Sequence, residues 1–442
     1  MNLMKKITNS LLFTVATVLL LSYSNITNAQ YSISSPYSRF GVGYDNAGKS
    51  ATLLSMGGVG YALAKDNEIN LQNAASFSAV GQQSFVFNMG FDLIWRNLSN
   101  RIKSSDAFVA SLSSIAIAFP ILDRLKIGAY LSPLTDVNYL GSDTILSDIN
   151  RVKTFNGNGG IDKVGLGLSY QPIKTLKHNL SIGANLSYKF GNIYRSSSLE
   201  FLTKKDSVGG LHDTIGFFDN KVEKNYNISS FGIDFGMLYF YTLNNSDKVG
   251  IGITFTPEHR LHADKKQMFY TYYTYGTIKY VQDTLSYSKK DIKIKMPMKI
   301  GLGLSYDRSN KLFAEIDFTY TQWSKFDFEM QEANLLKDSW LVNMGMEYIP
   351  NISGNMYYEK VAYRLGMHYD NGHIFLQNKR ITDIGISLGI ALPIKKLGTK
   401  INIGFEYGTQ GTAENNLIKE NYFRISLSLS AKDRWFVKKR YQ

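Results

Sequence analysis

Two carboxylates, Glu315 and Asp317, stand two residues apart in Leu312–Thr321, a segment that alternates apolar and polar residues. On a strand that spacing puts both on one face, and paired carboxylates can divide acid and base roles between them. The run Glu258-His259-Arg260-Leu261-His262 offers two imidazoles. Their odd spacing sends them to opposite faces of a strand, so they do not share a metal ion. The six histidines are otherwise dispersed and there is no cysteine, which removes thiolate metal sites, disulfides and cysteine nucleophiles. No spacing singles out a Ser–His pair. The cluster Met56-Gly57-Gly58-Val59-Gly60 lacks the Gly-Lys-Ser/Thr ending of a phosphate-cradling loop and the apolar strand before it. These residues point to a protein that is not an enzyme and holds no metal or cofactor. Glu315, Asp317, Glu347, Arg364, Asp370 and Glu406 are expected to face inward as a hydrogen-bonding network, with Asp66 joining it.

The elements that must position these groups alternate with period two. Leu180, Ile182, Ala184, Leu186, Tyr188 and Phe190 are interleaved with Ser181, Gly183, Asn185, Ser187, Lys189 and Gly191. Met298–Asp307 repeats the pattern, as do nine further segments between Val164 and Ser430. A helix would scatter such residues around its axis, whereas a strand separates them onto two faces. Runs of about ten residues exceed ordinary sandwich strands and suit a tilted membrane crossing. An apolar face of Ile, Leu, Val, Phe, Tyr and Met then meets lipid, and a face of Gly, Ser, Asn and charges lines a lumen. The expected fold is all-β, a transmembrane antiparallel β-barrel of about fourteen strands. The 29 Tyr, 26 Phe and 37 Gly fit those two faces.

Connection lengths alternate as well. Leu122–Arg124, Ile173–His178, Leu243–Asp247, Asp307–Lys311 and Lys395–Gly398 are tight. Thr203–Asn225, His262–Ile292, Phe328–Asp338 and Asn371–Arg380 are long. With a periplasmic start, every tight connection falls on the periplasmic side and every long one outside. Asn351–Lys360 is the exception, a mid-length link on the periplasmic side. Pro120, Pro172, Pro350 and Pro393 sit where strands end, which a residue without an N–H tolerates. Pro133 instead interrupts Leu125–Leu140. It marks either a bulge near a barrel rim or a local gap in the wall.

Residues 1–29 read as an export signal: Lys5 and Lys6, an apolar stretch Leu11–Leu21, then Thr27-Asn28-Ala29. The net charge is +13, two units of which lie in that signal. The basic excess fits an anionic outer leaflet better than nucleic acid. The expected plan is a signal at 1–29, a hatch at 30–81, a barrel at 82–431 and a basic periplasmic tail at 432–442 containing Lys438-Lys439-Arg440. A barrel of fourteen strands is wider than its own side chains fill, so the glycine-rich hatch is expected to plug the lumen. The expected location is a bacterial outer membrane with both termini periplasmic, in contact with membrane lipid and lipopolysaccharide.

Ser55–Ser78 resembles the N-terminal hatch of the FadL-type outer-membrane transporters of long-chain fatty acids. The family's Met-Gly-Gly-x-Gly-x-Ala run, following Asp and Asn-Pro-Ala turn correspond here to Met56, Gly57, Gly58, Gly60, Ala62, Asp66 and Asn73-Ala74-Ala75, with Ala74 in place of the family's proline. Tyr320-Thr321-Gln322-Trp323-Ser324-Lys325-Phe326 is similar to a late-strand signature of the same family. The resemblance implies passive uptake of hydrophobic compounds such as long-chain fatty acids. Outer loops would capture the substrate, the lumen would hold it, and it would leave sideways at a kinked third strand, here at Pro133. The aromatic segment with Phe269, Tyr270, Tyr272 and Tyr273 would be a capture loop, with Lys265, Lys266, Lys289 and Lys290 as partners for a carboxylate. Those aromatics also suit a plain extracellular hairpin above the aromatic girdle. The alternative function is that of a FadL-like barrel acting as a partner or shuttle subunit of an outer-membrane protein complex, for secretion or assembly. The altered turn and the added tail make that alternative a serious one.

Overall fold

The computed structural model describes residues 35–45, 49–146, 150–201, 218–244, 246–275, 278–309, 311–329, 335–394 and 398–434. The expected export signal and most of the basic tail lie outside these residues. Fourteen antiparallel strands form one closed sheet. They are β1 (Ser84–Ser99), β2 (Ser104–Pro120), β3 (Leu125–Ile145), β4 (Arg151–Lys174), β5 (His178–Phe201) and β6 (Asp219–Thr242). Next come β7 (Asp247–Thr256 continuing as His259–Tyr275) and β8 (Ile278–Met296 continuing as Lys299–Arg308). The barrel finishes with β9 (Leu312–Thr321), β10 (Ser339–Tyr348), β11 (Ala362–Asp370), β12 (Asp383–Pro393), β13 (Lys400–Gly411) and β14 (Lys419–Arg434). β14 pairs with β1 from Lys419↔Ser99 to Arg434↔Ser84, which closes the wall and removes its edges. The breaks in β7 and β8 coincide with Pro257 and Pro297, which cannot donate to the ladder.

Alternation decides which face meets what. Leu166, Ile182, Leu186, Phe231, Leu304, Ile386 and Leu388 are among many large apolar side chains exposed on the outer face. They form an apolar surface around the barrel far larger than a soluble monomer tolerates. That surface identifies the barrel as transmembrane. Among the described residues no helix is long and apolar enough to cross a membrane; the strands cross it.

The connections expected to be tight fall at the barrel end where β1 begins and β14 finishes, called here the terminal end; the short links Ser99 to Ser104 and Tyr275 to Ile278 lie at the other end. At the far end the wall is uneven. β4, β5 and β6 have 24 residues each, whereas β9 and β10 have ten. At about 3.3 Å per residue, the outer halves of β3–β8 project as an open sheet of about 40 Å. His262–Ile292 is therefore not a long loop. β7 and β8 pair from His259↔Met296 to Tyr275↔Ile278, because threonine and tyrosine suit a two-sided strand. β14 also ends three residues beyond the expected boundary at 431.

The segment before β1 lies inside the barrel. It begins at the far end, where the Ser35 hydroxyl donates to Glu420 Oε1 (2.7 Å) and the Tyr37 hydroxyl to the Ile418 carbonyl (2.6 Å). It passes the short helix α1 (Ala51–Leu54) and descends to the terminal end, where Asp66 meets Lys432 Nζ at 2.6 Å. The described residues thus start at the far mouth and finish at the terminal end. The reason is local: Tyr37 and Val42 are apolar and bury themselves in the far mouth.

Candidate functional site

The hatch is held by the inward faces of β9–β12. Asp317 Oδ2 accepts from the backbone N–H groups of Gly60 (2.7 Å) and Tyr61 (3.1 Å), and Glu315 Oε1 accepts from Ala62 N–H. The paired carboxylates thus serve the glycine turn as acceptors for backbone donors. Gly57 N–H donates to Ser387 Oγ (2.8 Å). Glu347 accepts from Lys65 Nζ (2.6 Å) and Arg364 Nε (2.7 Å), and Arg364 Nη1 donates to Asn402 Oδ1 (3.0 Å). Glycine on the wall makes this approach possible. A β-carbon at Gly252 would overlap the Tyr61 carbonyl, and one at Gly366 would overlap the backbone of Met56 and Gly57.

The remaining hatch residues are placed as follows. Met56 is fully buried, and Gly57 and Gly58 have φ of +71° and +88°, which favour glycine. Asn73 caps the turn that starts at Ala74: its Oδ1 accepts from Ala75 N–H (3.0 Å), and its Nδ2 donates to the Tyr61 and Met237 carbonyls. The Ala75 carbonyl accepts from Ser169 Oγ (3.0 Å). Asp66 stays at the terminal mouth and does not join the inward network.

The far mouth is sealed by the protein's own apolar side chains. Tyr37 and Val42 of the hatch pack with Val137, Ile161, Ile193, Tyr226, Ile228, Leu261 and Ile294 of the wall. Phe326, Phe328, Leu336, Ile374, Ile381 and Leu417 close over them from the connections. The Trp323-Ser324-Lys325 turn belongs to this lid: Trp323 stacks on His373 at 4.3 Å. Burial pushes the His373 imidazole down to about 4. Glu329 meets Lys265 and Lys224 and accepts from the Tyr226 hydroxyl (2.8 Å). Burial opposes its ionisation, but Lys265 and Tyr226 outweigh it and hold the carboxyl below its usual range.

Beneath the seal lies a cavity of about 340 Å³. Fourteen Asp, Glu, Lys, Arg and His side chains line it, Lys163, Lys189, Lys299, Asp234, Asp370 and Glu406 among them. Lys163 and Lys189 are directly opposite on β4 and β5, and Lys189 Nζ lies 2.5 Å from His259 Nε2. His368 sits 3.3 Å from Glu406 and 3.7 Å from Asp383. Sequence reasoning missed His368, Lys163 and Lys189. The signal was available, because each stands at a polar position of an alternating segment. Leu134, Met296, Trp323, Ile374 and Ile381 also line the cavity, but they are packed into the seal. Asp370 and Glu406 line the chamber and do not reach the hatch glycines. His262 is exposed on the opposite face from His259. Among the described residues, no three acidic or histidine side chains are grouped to hold a metal ion.

Pro133 sits at an irregularity of the wall. The β2–β3 ladder runs only from Pro120↔Lys126 to Ile115↔Leu131. Above it the two strands part, although β2 continues with β1 and β3 with β4. Leu134 is the extra residue of a bulge between Pro133 and Thr135. Tyr44 and Asp45 of the hatch pair with Asp136 and Thr135 and so occupy the vacated edge of β3. Around Pro133 the wall thus combines a bulge in β3 with an interrupted β2–β3 ladder.

The aromatic segment is part of the outer sheet. The Tyr272 hydroxyl donates to Glu200 Oε1 (2.8 Å) and that of Tyr270 to Glu223 Oε1 (3.0 Å). Tyr273 stacks on Tyr280 at 5.4 Å, and Phe269 is half-buried. These four residues alternate along a strand and do not converge on one pocket.

A family model described as BamG matches residues 4–442. No curated protein matches the chain. Solved structures share the fold at low identity. The toluene transporter TbuX of Ralstonia pickettii is 15% identical over 88% of this chain and 99% of its own, with a TM-score of 0.55. The toluene transporter TodX of P. putida is 14% identical over 89% and 100%, with a TM-score of 0.53. A FadL homologue of Pseudomonas aeruginosa is 12% identical over 89% and 98%, with a TM-score of 0.52. The barrel thus has the FadL-type fold.

Proposed function

The chain belongs to the BamG family, and from that premise we propose that it is a plugged outer-membrane barrel that serves as a partner-holding subunit of an outer-membrane protein assembly. The observation that carries this reading is the division of the lumen. The apolar space at the far mouth is filled by the protein's own side chains, and the space beneath it is lined by fourteen ionisable groups. An alkyl chain gains about 0.8 kcal/mol per CH₂ by leaving water, and a chamber that sets these charges among Tyr44, Tyr61, Leu71, Phe235 and Leu341 offers it only part of that. The long outer sheet lends Tyr226, Ile228, Leu261 and Ile294 to the seal at its base and projects beyond it as a built surface. The terminal end faces the periplasm in this reading, and the outer sheet faces outward. The chain has no catalytic role.

A second reading is supported by the interrupted wall. The hydrocarbon transporters with this fold suggest passive passage of hydrophobic compounds, long-chain fatty acids among them. The chamber reaches Ser132, Leu134 and Thr135 at the β3 bulge, where a lateral exit would lie. The β7–β8 aromatics would then serve capture, and Met56, Gly57, Gly58, Gly60 and Asn73 would move with the hatch.

Isolation from native outer membranes in mild detergent separates the two. The assembly reading expects stoichiometric protein companions and unchanged uptake of labelled fatty acid on deletion. A lone barrel with acyl chains in its lumen, and reduced uptake on deletion, would sink it.

A further inference from the structure

The outer sheet is open, and one of its edges has no cover. Ile278–Met296 of β8 pairs on one side with β7. On the other side its neighbour β9 reaches only the inner segment Lys299–Arg308. Among the described residues, the free side of the outer segment is met at one point. Lys295 N–H donates to the Asp327 carbonyl (2.9 Å), and Asp327 N–H donates back to Lys295 (3.2 Å).

That single bridge fixes which groups the edge offers. In an antiparallel ladder, alternate residues turn both backbone groups to the same side. Lys295 turns its pair away from β7, so Lys293, Asp291, Lys289 and Tyr287 do the same. From Ser286 to Met296 the register with β7 is unbroken, and the bulges lie further out, between Val281 and Ser286. Among the described residues, these four therefore have no strand partner for their N–H and C=O groups, which stand in a straight row. Such an edge is a template for another strand.

Charge selects the occupant. The β7–β8 hairpin from His259 to Met296 holds eight Lys or Arg against three Asp. Lys289 stands directly opposite Lys266; Lys290 stands opposite Lys265, whose charge Glu329 already meets. Like charges facing each other across a ladder are unfavourable, and a negative strand beside them would relieve this. A second copy of this chain would bring more lysine to the same edge. Lysine on an edge also discourages indiscriminate pairing, which leaves an acidic partner as the matched one.

We propose that the outer edge of β8, from Tyr287 to Lys293, takes an extended acidic segment of a partner protein as an added β-strand. This rests on the assembly reading and names its docking surface. The test compares backbone amide exchange, resolved to single residues, in the full-length barrel purified with its native companions and in the barrel produced alone. The amides of Tyr287, Lys289, Asp291 and Lys293 should exchange at least tenfold more slowly with companions bound. The even-numbered amides, already paired with β7, should not change. Lys289→Pro removes only an edge-facing N–H, so it should release the companion while β7–β8 protection persists. A photoreactive side chain at 287 should cross-link to an acidic stretch of that companion. If companions are present but the odd amides stay unprotected and the proline variant keeps them, the edge proposal is overturned and the assembly reading stands. Cross-linking to a second copy, or lysine-dependent retention of lipopolysaccharide without amide protection, also overturns it. If no companion is recovered, the assembly reading itself fails.

Discussion

Replacing Asp317 by alanine should loosen the hatch without opening the barrel. The carboxylate accepts two buried backbone N–H groups, from Gly60 and Tyr61. Leaving a buried donor unsatisfied costs about 1–3 kcal/mol. Two such donors give about 2–6 kcal/mol, offset in part because Glu315 loses a neighbouring carboxylate. A net effect of about 3 kcal/mol raises the open population about a hundredfold, at 1.4 kcal/mol per tenfold. Asp317→Asn keeps an acceptor oxygen and removes that repulsion, so its effect should stay within about 1 kcal/mol. Hydrogen exchange of amides 57–63 in detergent-solubilised protein reads the difference directly. The wall strands, whose ladders do not include Asp317's side chain, should keep their protection in both variants. Equal exchange of the hatch amides in the alanine variant and the parent would refute the idea that this carboxylate pins the hatch.

Two further outcomes follow from other named groups. Arg364→Ala strands the buried Glu347 with Lys65 alone, and breaking a buried pair costs about 3–5 kcal/mol; thermal unfolding in detergent should fall well below the parent, and Arg364→Ala combined with Glu347→Gln should recover part of the loss. The lid should weaken in acid: His373 is held near 4 in the folded state, so its contribution is complete above its unfolded value of about 6.5 and is lost as pH falls from there towards 4, a total of roughly 3 kcal/mol. Glu329 adds a second loss below the unfolded carboxyl value of about 4.3, because its folded value is depressed. Trp323 fluorescence should report both, and His373→Phe should remove the upper step while Glu329→Gln removes the lower.

The barrel was legible because its physics is local. Period-two alternation such as Leu180–Phe190 assigns each residue to lipid or lumen without knowledge of its neighbours, and chain connectivity then orders the strands. Glu315 and Asp317 were legible as inward groups for the same reason. Their use was not, because it depends on where Gly60 and Tyr61 come to rest after a turn at Gly57 and Gly58. His262–Ile292 misled for an opposite reason. Its lysines and tyrosines look like loop, yet each strand needs only a pairing partner, and the two halves supply one another. The seal was illegible altogether. Tyr37 comes from the hatch and Phe326, Ile374 and Leu417 from three separate connections, and no periodicity links them.

The hatch bonds also bear on what the barrel can do unaided. Thirteen hydrogen bonds or ion pairs join residues 57–75 to the wall and the terminal mouth. At about 0.5–1.5 kcal/mol net for each, withdrawing this segment costs on the order of 10 kcal/mol. The withdrawn state is then populated at about one part in ten million. A ligand shifts such an equilibrium only by its preference for the withdrawn state. A small ligand can offer only the contacts it makes within a chamber of about 340 Å³. A protein partner that holds the outer sheet or the terminal rim spreads its contacts over a much larger area and could supply that preference. In the assembly reading the same bonds would make the barrel a rigid base for such a partner, so that the packing of the hatch and the projection of the outer sheet belong to one proposal.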